Sequence, residues 1–235
     1  MINKRHLSIL NQIKESGGEI DSGKPNDSVL LIDGMNLFIR VFSAIPTTNE
    51  DGVHVGGIVG FLRSLAFSIN MIRPTRTIIV FDGKGGSKPR QKVYSGYKGG
   101  RKVRSRLNRV VDWTVNPQDE SEAMKLQLSR LVEYLENLPL TILSIDNLEA
   151  DDVMAYVSNT SLKDSKVTIM STDKDFYQLV DERVQVYSPT KKKTYDVEMV
   201  YEEFGLYPQN LLCLLYTSDA ADEGLGVDLG GRRII

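Results

Sequence analysis

An α/β chain built on a parallel sheet is what this sequence predicts, and three observations carry the prediction. Four strand-length apolar runs each lead into acid: Val29-Leu30-Leu31-Ile32-Asp33, residues 77–82 closing on Asp82, residues 140–145 before Glu149-Ala150-Asp151-Asp152, and residues 167–170 before Asp173-Lys174-Asp175. Segments of helical period separate these runs. The runs are continuously apolar rather than alternating, as expected of parallel strands buried on both faces. Sheets of this kind place their chemistry beyond the carboxyl ends of the strands, where all four acidic stretches fall.

In chain order, Leu7, Leu10 and Ile13 stand at roughly helical spacing before Gly17-Gly18 and a polar stretch, so residues 1–27 read as a short amphipathic helix on a tether. Residues 28–32 are the first strand. Asp33-Gly34-Met35-Asn36 follows, with Gly34 allowing a tight exit and Asn36 placed to support the carboxylate; a turn with a helix cap is the competing reading. Residues 37–45 are helical and end near Pro46. A polar loop leads to Gly56-Gly57-Ile58-Val59-Gly60, which opens a helix to about residue 72. Its glycines suit either phosphate approach at a helix N-terminus or close helix packing; no Gly-Lys-Ser/Thr makes it a Walker loop.

The second strand, residues 76–82, is broken by Gly83. Residues 84–109 then carry ten Lys or Arg and no Asp or Glu, interleaved with Tyr94 and Tyr97 and followed by Trp113. Cations release counterions from phosphates and aromatic rings stack on unpaired bases, so this stretch reads as a nucleic-acid contact. Residues 119–138 form an amphipathic helix with Met124, Leu128, Leu131, Leu135 and Leu138 on its core face. The third strand, a helix from Glu149 to about Asn159, the fourth strand, a short helix at 174–180, a last strand with a hairpin at 184–196 and a helix at 197–204 complete the order.

At 235 residues the chain is long enough for a real core, and 41% hydrophobic and 26% charged residues are ordinary for a globular protein. One cysteine, Cys213, gives neither a disulfide framework nor a thiolate cluster. With only His6 and His54, a histidine zinc site or a Ser-His-Asp triad has too few parts. Any metal would therefore be held by oxygen, which favours Mg²⁺ or Mn²⁺. No run approaches the roughly 18 apolar residues of a membrane span. The N-terminus lacks the apolar block of a signal peptide, so the reading is a soluble cytoplasmic protein. Nothing signals oligomerisation, and a monomer is expected.

Three carboxylates in four residues at 149–152 repel one another unless a cation neutralises them. Asp173 and Asp175, two apart, share a side if the chain is extended there. Glu149 and Asp152 share a face if the helix has begun by Glu149, and Asp151 joins them only from an irregular first turn. Seven acids exceed what one Mg²⁺ uses. Two ions about 3.5–4 Å apart, clamping the attacking and leaving oxygens of a phosphodiester, would use them.

Asp33-Gly-Met-Asn, Phe81-Asp82-Gly, Tyr97-Lys98 within a basic stretch, Glu149-Ala-Asp-Asp152 and Ser171-Thr-Asp-Lys-Asp-Phe176, in this order, resemble the 5'-3' exonuclease and flap endonuclease family. The likeness is to phage 5' nucleases, including the phage ribonuclease H type, and to the 5' nuclease domain of bacterial DNA polymerase I. It covers residues 28–212. The resemblance implies a PIN-like fold, a parallel sheet flanked by helices with a basic helical arch at about 84–118. It also implies Mg²⁺-dependent hydrolysis with two ions, for which Mn²⁺ can substitute. The substrates it implies are DNA with a 5' flap, a nick or an RNA primer, and the helpers a polymerase or single-strand-binding protein; if the chain is phage-encoded, the setting is the host cytoplasm. By position, Asp33, Asp82, Glu149, Asp151 and Asp152 match ligands of the first metal region, and Asp173 and Asp175 of the second. Tyr97 matches a base-stacking arch residue and Lys98 one that meets the scissile phosphate, with Lys84 and Arg101 as further contacts.

The family continues into a helical region that grips duplex DNA and contributes further aspartates near a Gly-Asp-x-Ser-Asp-Asn pattern, which is absent here. Residues 213–235 have no helical period and read as a non-native tail, so this duplex-binding region is expected to be missing and activity reduced. A PIN-type single-strand ribonuclease and a non-catalytic DNA-junction binding protein are the alternatives. An aspartyl phosphatase is disfavoured because no second Asp follows Asp33 two residues on.

Overall fold

The computed structural model describes residues 24–93, 106–116 and 118–211. Its centre is a six-stranded sheet in the order β3-β2-β1-β4-β5-β6. The strands are β1 (Ser28–Asp33), β2 (Arg76–Phe81), β3 (Thr141–Ser144), β4 (Lys166–Met170), β5 (Val184–Ser188) and β6 (Lys193–Tyr195). The first five run parallel, and β6 closes the edge as the antiparallel arm of a hairpin. Helices α1 (Gly34–Ala44), α2 (Gly56–Ile72), α3 (Lys88–Val93), α4 (Glu120–Glu136), α5 (Ala150–Tyr156) and α6 (Val197–Phe204) flank it.

β1 shows why the sheet is buried on both faces. Val29 to Ile32 are all fully buried, and alternate side chains serve different cores. Val29 and Leu31 join Val167, Ile169, Val184 and Val186 under α5 and α6, while Leu30 and Ile32 join Ile79 and Phe81 under α1, α2 and α4. Truncating any of these Leu or Ile side chains to Ala would cost about 2–5 kcal/mol. The chain after β1 moves to β2 and β3 on one side and then crosses to β4 on the other. The switch point of this doubly wound sheet therefore lies at the carboxyl ends of β1 and β4, the place where such sheets hold ligands.

Several expectations change in detail. The helix expected at 37–45 starts at Gly34, because Asp33 itself is its N-cap. The helix expected to reach Asn159 ends at Tyr156 and widens into a π turn, Val157–Ser161, and the short helix after β4 is a 3-10 helix, Lys174–Leu179. On α4 the buried stripe is Ala123, Gln127, Leu131 and Leu135, a four-residue spacing, which leaves Leu138 41% exposed.

Gln127 decides the role of the glycines at 56–60. Its Oε1 accepts from the Gly57 N–H at 2.8 Å, satisfying an open donor of the α2 N-terminus. A Cβ on Gly60 would stand 2.7 Å from Val41 Cβ, so these glycines serve close packing rather than phosphate approach. Trp113 is likewise core: it stacks on Phe42 at 6.2 Å between centroids, and its Nε1–H donates to the Asn108 carbonyl. It is not available to stack on a base. Asn108 and Leu107 donate their backbone N–H groups to Glu120, which anchors the return of the basic stretch at the start of α4. Among the described residues no helix is long and apolar enough to cross a membrane. The expected N-terminal helix, residues 94–105 of the arch and the 213–235 tail lie outside the described residues.

Candidate active site

β1 delivers Asp33 to the switch point. The carboxylate accepts from the Asn36 N–H at 3.0 Å through Oδ1 and from the Ser171 hydroxyl at 3.1 Å through Oδ2, so it is tied at once to α1 and to the end of β4. Burial is the main force on it. Desolvation outweighs these two hydrogen bonds, and Asp82 and Asp173 add like charge, so the Asp33 carboxyl is pushed up to about 6. Asn36 does not support this carboxylate with its side chain, as its place in the sequence suggested. Its Oδ1 instead accepts from the Thr172 N–H and hydroxyl at 3.2 and 2.8 Å, which fixes the loop carrying Asp173.

Asp173 caps the 3-10 helix, accepting from the Asp175 N–H at 3.0 Å, and its own N–H donates to Ser171 Oγ at 3.1 Å. Asp175 therefore sits in a tight first turn, and extended-chain spacing is not what relates these two acids. Ser171, buried and shared between Asp33 and Asp173, was not singled out from the sequence. Its place directly after a buried strand, two residues before an acid, is the signal that could have found it.

On the other side of β1, Asp82 follows β2, and its Oδ1 accepts from the Ala150 N–H at 2.8 Å. That bond brings the Glu149-Ala150-Asp151-Asp152 segment to the sheet edge. A Cβ on Gly83 would lie 1.7 Å from the Ile145 carbonyl oxygen, so only glycine lets the chain leaving β2 pass the loop that precedes Glu149. Glu149 is the N-cap residue of α5, in extended conformation, and its side chain is only 5% exposed. Glu149 lies outside the helix as its cap and Asp151 and Asp152 in a regular first turn, and all three acids are within reach of one cation, Arg90 of α3. Its Nη1 bonds Glu149 Oε2 and lies 3.2 Å from Asp151 Oδ2, and its Nη2 donates to Asp152 Oδ1 at 2.6 Å. Burial and the Asp151 charge push the Asp152 carboxyl up, opposed by Arg90.

Lys84 is exposed beside Gly83, and its carbonyl accepts from the Asn147 N–H at 3.1 Å. Tyr97, Lys98 and Arg101 lie outside the described residues. The fold thus brings Asp33, Asp82, Glu149, Asp151, Asp152, Asp173 and Asp175 to the carboxyl edge of one sheet. Among the described residues, however, no three of the Asp, Glu, His or Cys side chains are gathered as a group that could hold a metal ion. The donor set still fits a hard divalent cation. It is made of carboxylate oxygens, one of them held protonated to unusually high pH by burial and like charge, and a guanidinium already takes a cation's place among three others.

Residues 28–205 match the family described as the 5'-3' exonuclease N-terminal resolvase-like domain. A 5'-3' exonuclease of Aquifex aeolicus is 32% identical over 209 residues, covering 88% of this chain and 66% of that protein. The thermostable DNA polymerase I of Thermus thermophilus is 32% identical over 79% of this chain and 20% of its own length, and the Bacillus subtilis DNA polymerase I 29% identical over 87% and 22%. The chain thus spans just under two thirds of the exonuclease relative and about a fifth of the polymerases. Among solved structures, a phage T5 flap endonuclease in a pseudo-enzyme-product complex with DNA and metal ions superposes with a TM-score of 0.56 at 21% identity, covering 76% of this chain and 61% of that one. The T5 5'-exonuclease with bound zinc gives 0.53 at 23%, with 76% and 61% covered. At these identities the superpositions speak for the fold, an α/β PIN-like sheet.

Proposed function

The chain belongs to the 5'-3' exonuclease family, and from that premise we propose that it is a divalent-metal-dependent nuclease hydrolysing phosphodiester bonds near the 5' end of DNA at a flap, a nick or an RNA primer. The observation that carries the proposal is Asp33: a carboxylate at the switch point of the sheet, raised to about 6, whose partners among the described residues are neutral donors.

Asp33, Asp82, Glu149, Asp151 and Asp152 would hold a first Mg²⁺ or Mn²⁺, and Asp173 and Asp175 would help hold a second. When bound, such ions supply an activated water and neutralise charge on the phosphate. The chain's own residues do the rest. Ser171 and the Asn36 N–H hold Asp33 in one orientation, and Asn36 Oδ1 holds the loop that presents Asp173. Lys84, Tyr97, Lys98 and Arg101 would draw the strand in through phosphate contacts and base stacking. Residues 28–212 would form the catalytic unit, with about 84–118 as its arch. The match to polymerase N-terminal segments makes a polymerase acting on the same primed strand a fitting partner.

The test is cleavage of a 5'-labelled flap duplex with Mg²⁺, comparing the chain with Asp173→Ala. A product near the flap base that requires Mg²⁺ and disappears in the variant is the expected result. Equal cutting of junction-free single-stranded RNA would replace this reading with a PIN-type ribonuclease. Flap binding without any cutting, by this chain and by a version completed with a family-type C-terminal region alike, would replace it with a junction-binding protein.

A further inference from the structure

The guanidinium of Arg90 occupies the space between Glu149, Asp151 and Asp152, the carboxylates proposed above to hold a divalent ion. Its side chain is 36% exposed and that of Glu149 only 5%, so the pair is partly withdrawn from water and the arginine charge helps to compensate a buried Glu149. A guanidinium does not deprotonate, so it cannot leave the cluster by losing its charge.

The root of its helix is held in place. Gly83 N–H donates to the Leu148 carbonyl at 3.0 Å and the Asn147 N–H to the Lys84 carbonyl at 3.1 Å. A Cβ on Gly86 would come within 2.6 Å of that Leu148 oxygen. The loop before α3 and the loop before Glu149 are therefore one packed unit that presents Arg90 to the acids. A divalent ion on the same oxygens would set positive charge against positive charge in that space, and carboxylates already directed at a guanidinium have fewer lone pairs for a metal.

We propose that Arg90 is a built-in counter-ion of this cluster, one that holds Glu149, Asp151 and Asp152 together before metal arrives and is exchanged for the divalent ion, coupling metal occupancy to the position of α3 at the base of the arch. The inference rests on the functional reading above, in that it takes the cluster to bind a divalent ion. Its consequence is that the chain binds metal more weakly than its acids alone would, because only the arginine-released fraction is competent.

The experiment is calorimetric titration of the whole chain with Ca²⁺, alongside Arg90→Gln and thermal melting of both. Arg90→Gln is expected to melt lower without metal, to bind Ca²⁺ about five- to tenfold tighter, and to recover more stability on Ca²⁺ addition than the parent. Unchanged or weaker Ca²⁺ binding by a folded variant would overturn the exchange and leave Arg90 a structural ion pair. Hydrogen exchange in the unmutated chain gives an answer whether or not the variant folds. Amides of residues 88–93 should exchange several-fold faster at saturating Ca²⁺, and protection that is unchanged or increased would overturn the proposal. If the parent binds neither Ca²⁺ nor Mn²⁺, the metal reading falls with it. If the parent binds and Arg90→Gln binds equally, only the exchange falls.

Discussion

The two ends of the acidic row meet one electrostatic problem in opposite ways. Where β1 meets β4, burial and the nearby Asp82 and Asp173 charges disfavour the charge of Asp33, and the hydrogen-bond partners of Asp33 and Asp173 among the described residues are a serine hydroxyl and backbone N–H groups. Where β2 meets α5, Glu149, Asp151 and Asp152 share a guanidinium. At the first, burial with added like charge raises the proton affinity of Asp33; at the second, Arg90 opposes the burial and like charge that still push Asp152 up. The difference teaches which half is poised for a cation. Asp33 has only neutral partners among the described residues and can meet an arriving divalent ion directly, whereas Glu149, proposed to share that ion, must first give up a guanidinium.

The largest expected effect breaks the poised half. Asp33→Asn should lower Mg²⁺-dependent flap cleavage by about a hundredfold or more, about 2.7 kcal/mol of barrier, in single-turnover assays. A rate within a few-fold of the parent would show that the chemistry does not depend on the Asp33 carboxylate.

The same residue governs the next effect, on stability. The folded carboxyl titrates at about 6 against 3.8 for an ordinary aspartate, so the folded state holds the proton more tightly than the unfolded chain does. That stabilising contribution is complete below about pH 4 and is lost as pH rises through about 6, amounting to roughly 2–3 kcal/mol. Urea unfolding without metal should therefore show a chain less stable at pH 7.5 than at pH 4.5 by up to this amount from this group. Asp33→Asn should remove the slope while raising stability at neutral pH. A variant with the parent's pH slope would assign the raised proton affinity elsewhere.

Ser171→Ala sharpens the comparison at smaller scale. It removes the hydroxyl that donates to Asp33 and accepts from the Asp173 N–H, at a cost of about 1 kcal/mol near neutral pH, read from the shift in urea midpoint. Lys84→Ala is the smallest. Lys84 is exposed, so melting should stay within about 0.5 kcal/mol of the parent while the KM for flap DNA rises.

Much of this arrangement was legible in local pattern. Continuous apolar runs marked β1, β2 and β4, whose side chains point alternately into two cores, and acids at the strand ends marked the edge where Asp33, Asp82 and Asp173 now stand. The Trp113 reading failed because its contacts, Phe42 and the carbonyl of Asn108, come from packing that spacing does not encode, and an aromatic beside a basic run looks the same whether buried or exposed. Gln127 reads in sequence as a polar residue on a helix, yet it is buried against the α2 N-terminus and His54. Arg90 was one of ten cations in a run, and nothing within that run separates it from its neighbours.

By itself, then, the order of residues determined the strands, the helices between them and the side of the sheet where the acids gather, because periods of 2 and 3.6 and a residue's place after a strand are properties of adjacent positions. Which carboxylate would keep only neutral partners among the described residues and which would receive Arg90 was decided only in the tertiary structure. Coulomb and desolvation energies depend on distances across the fold and on water excluded by packing, and the Arg90–Glu149 and Asp33–Ser171 contacts join residues 59 and 138 positions apart.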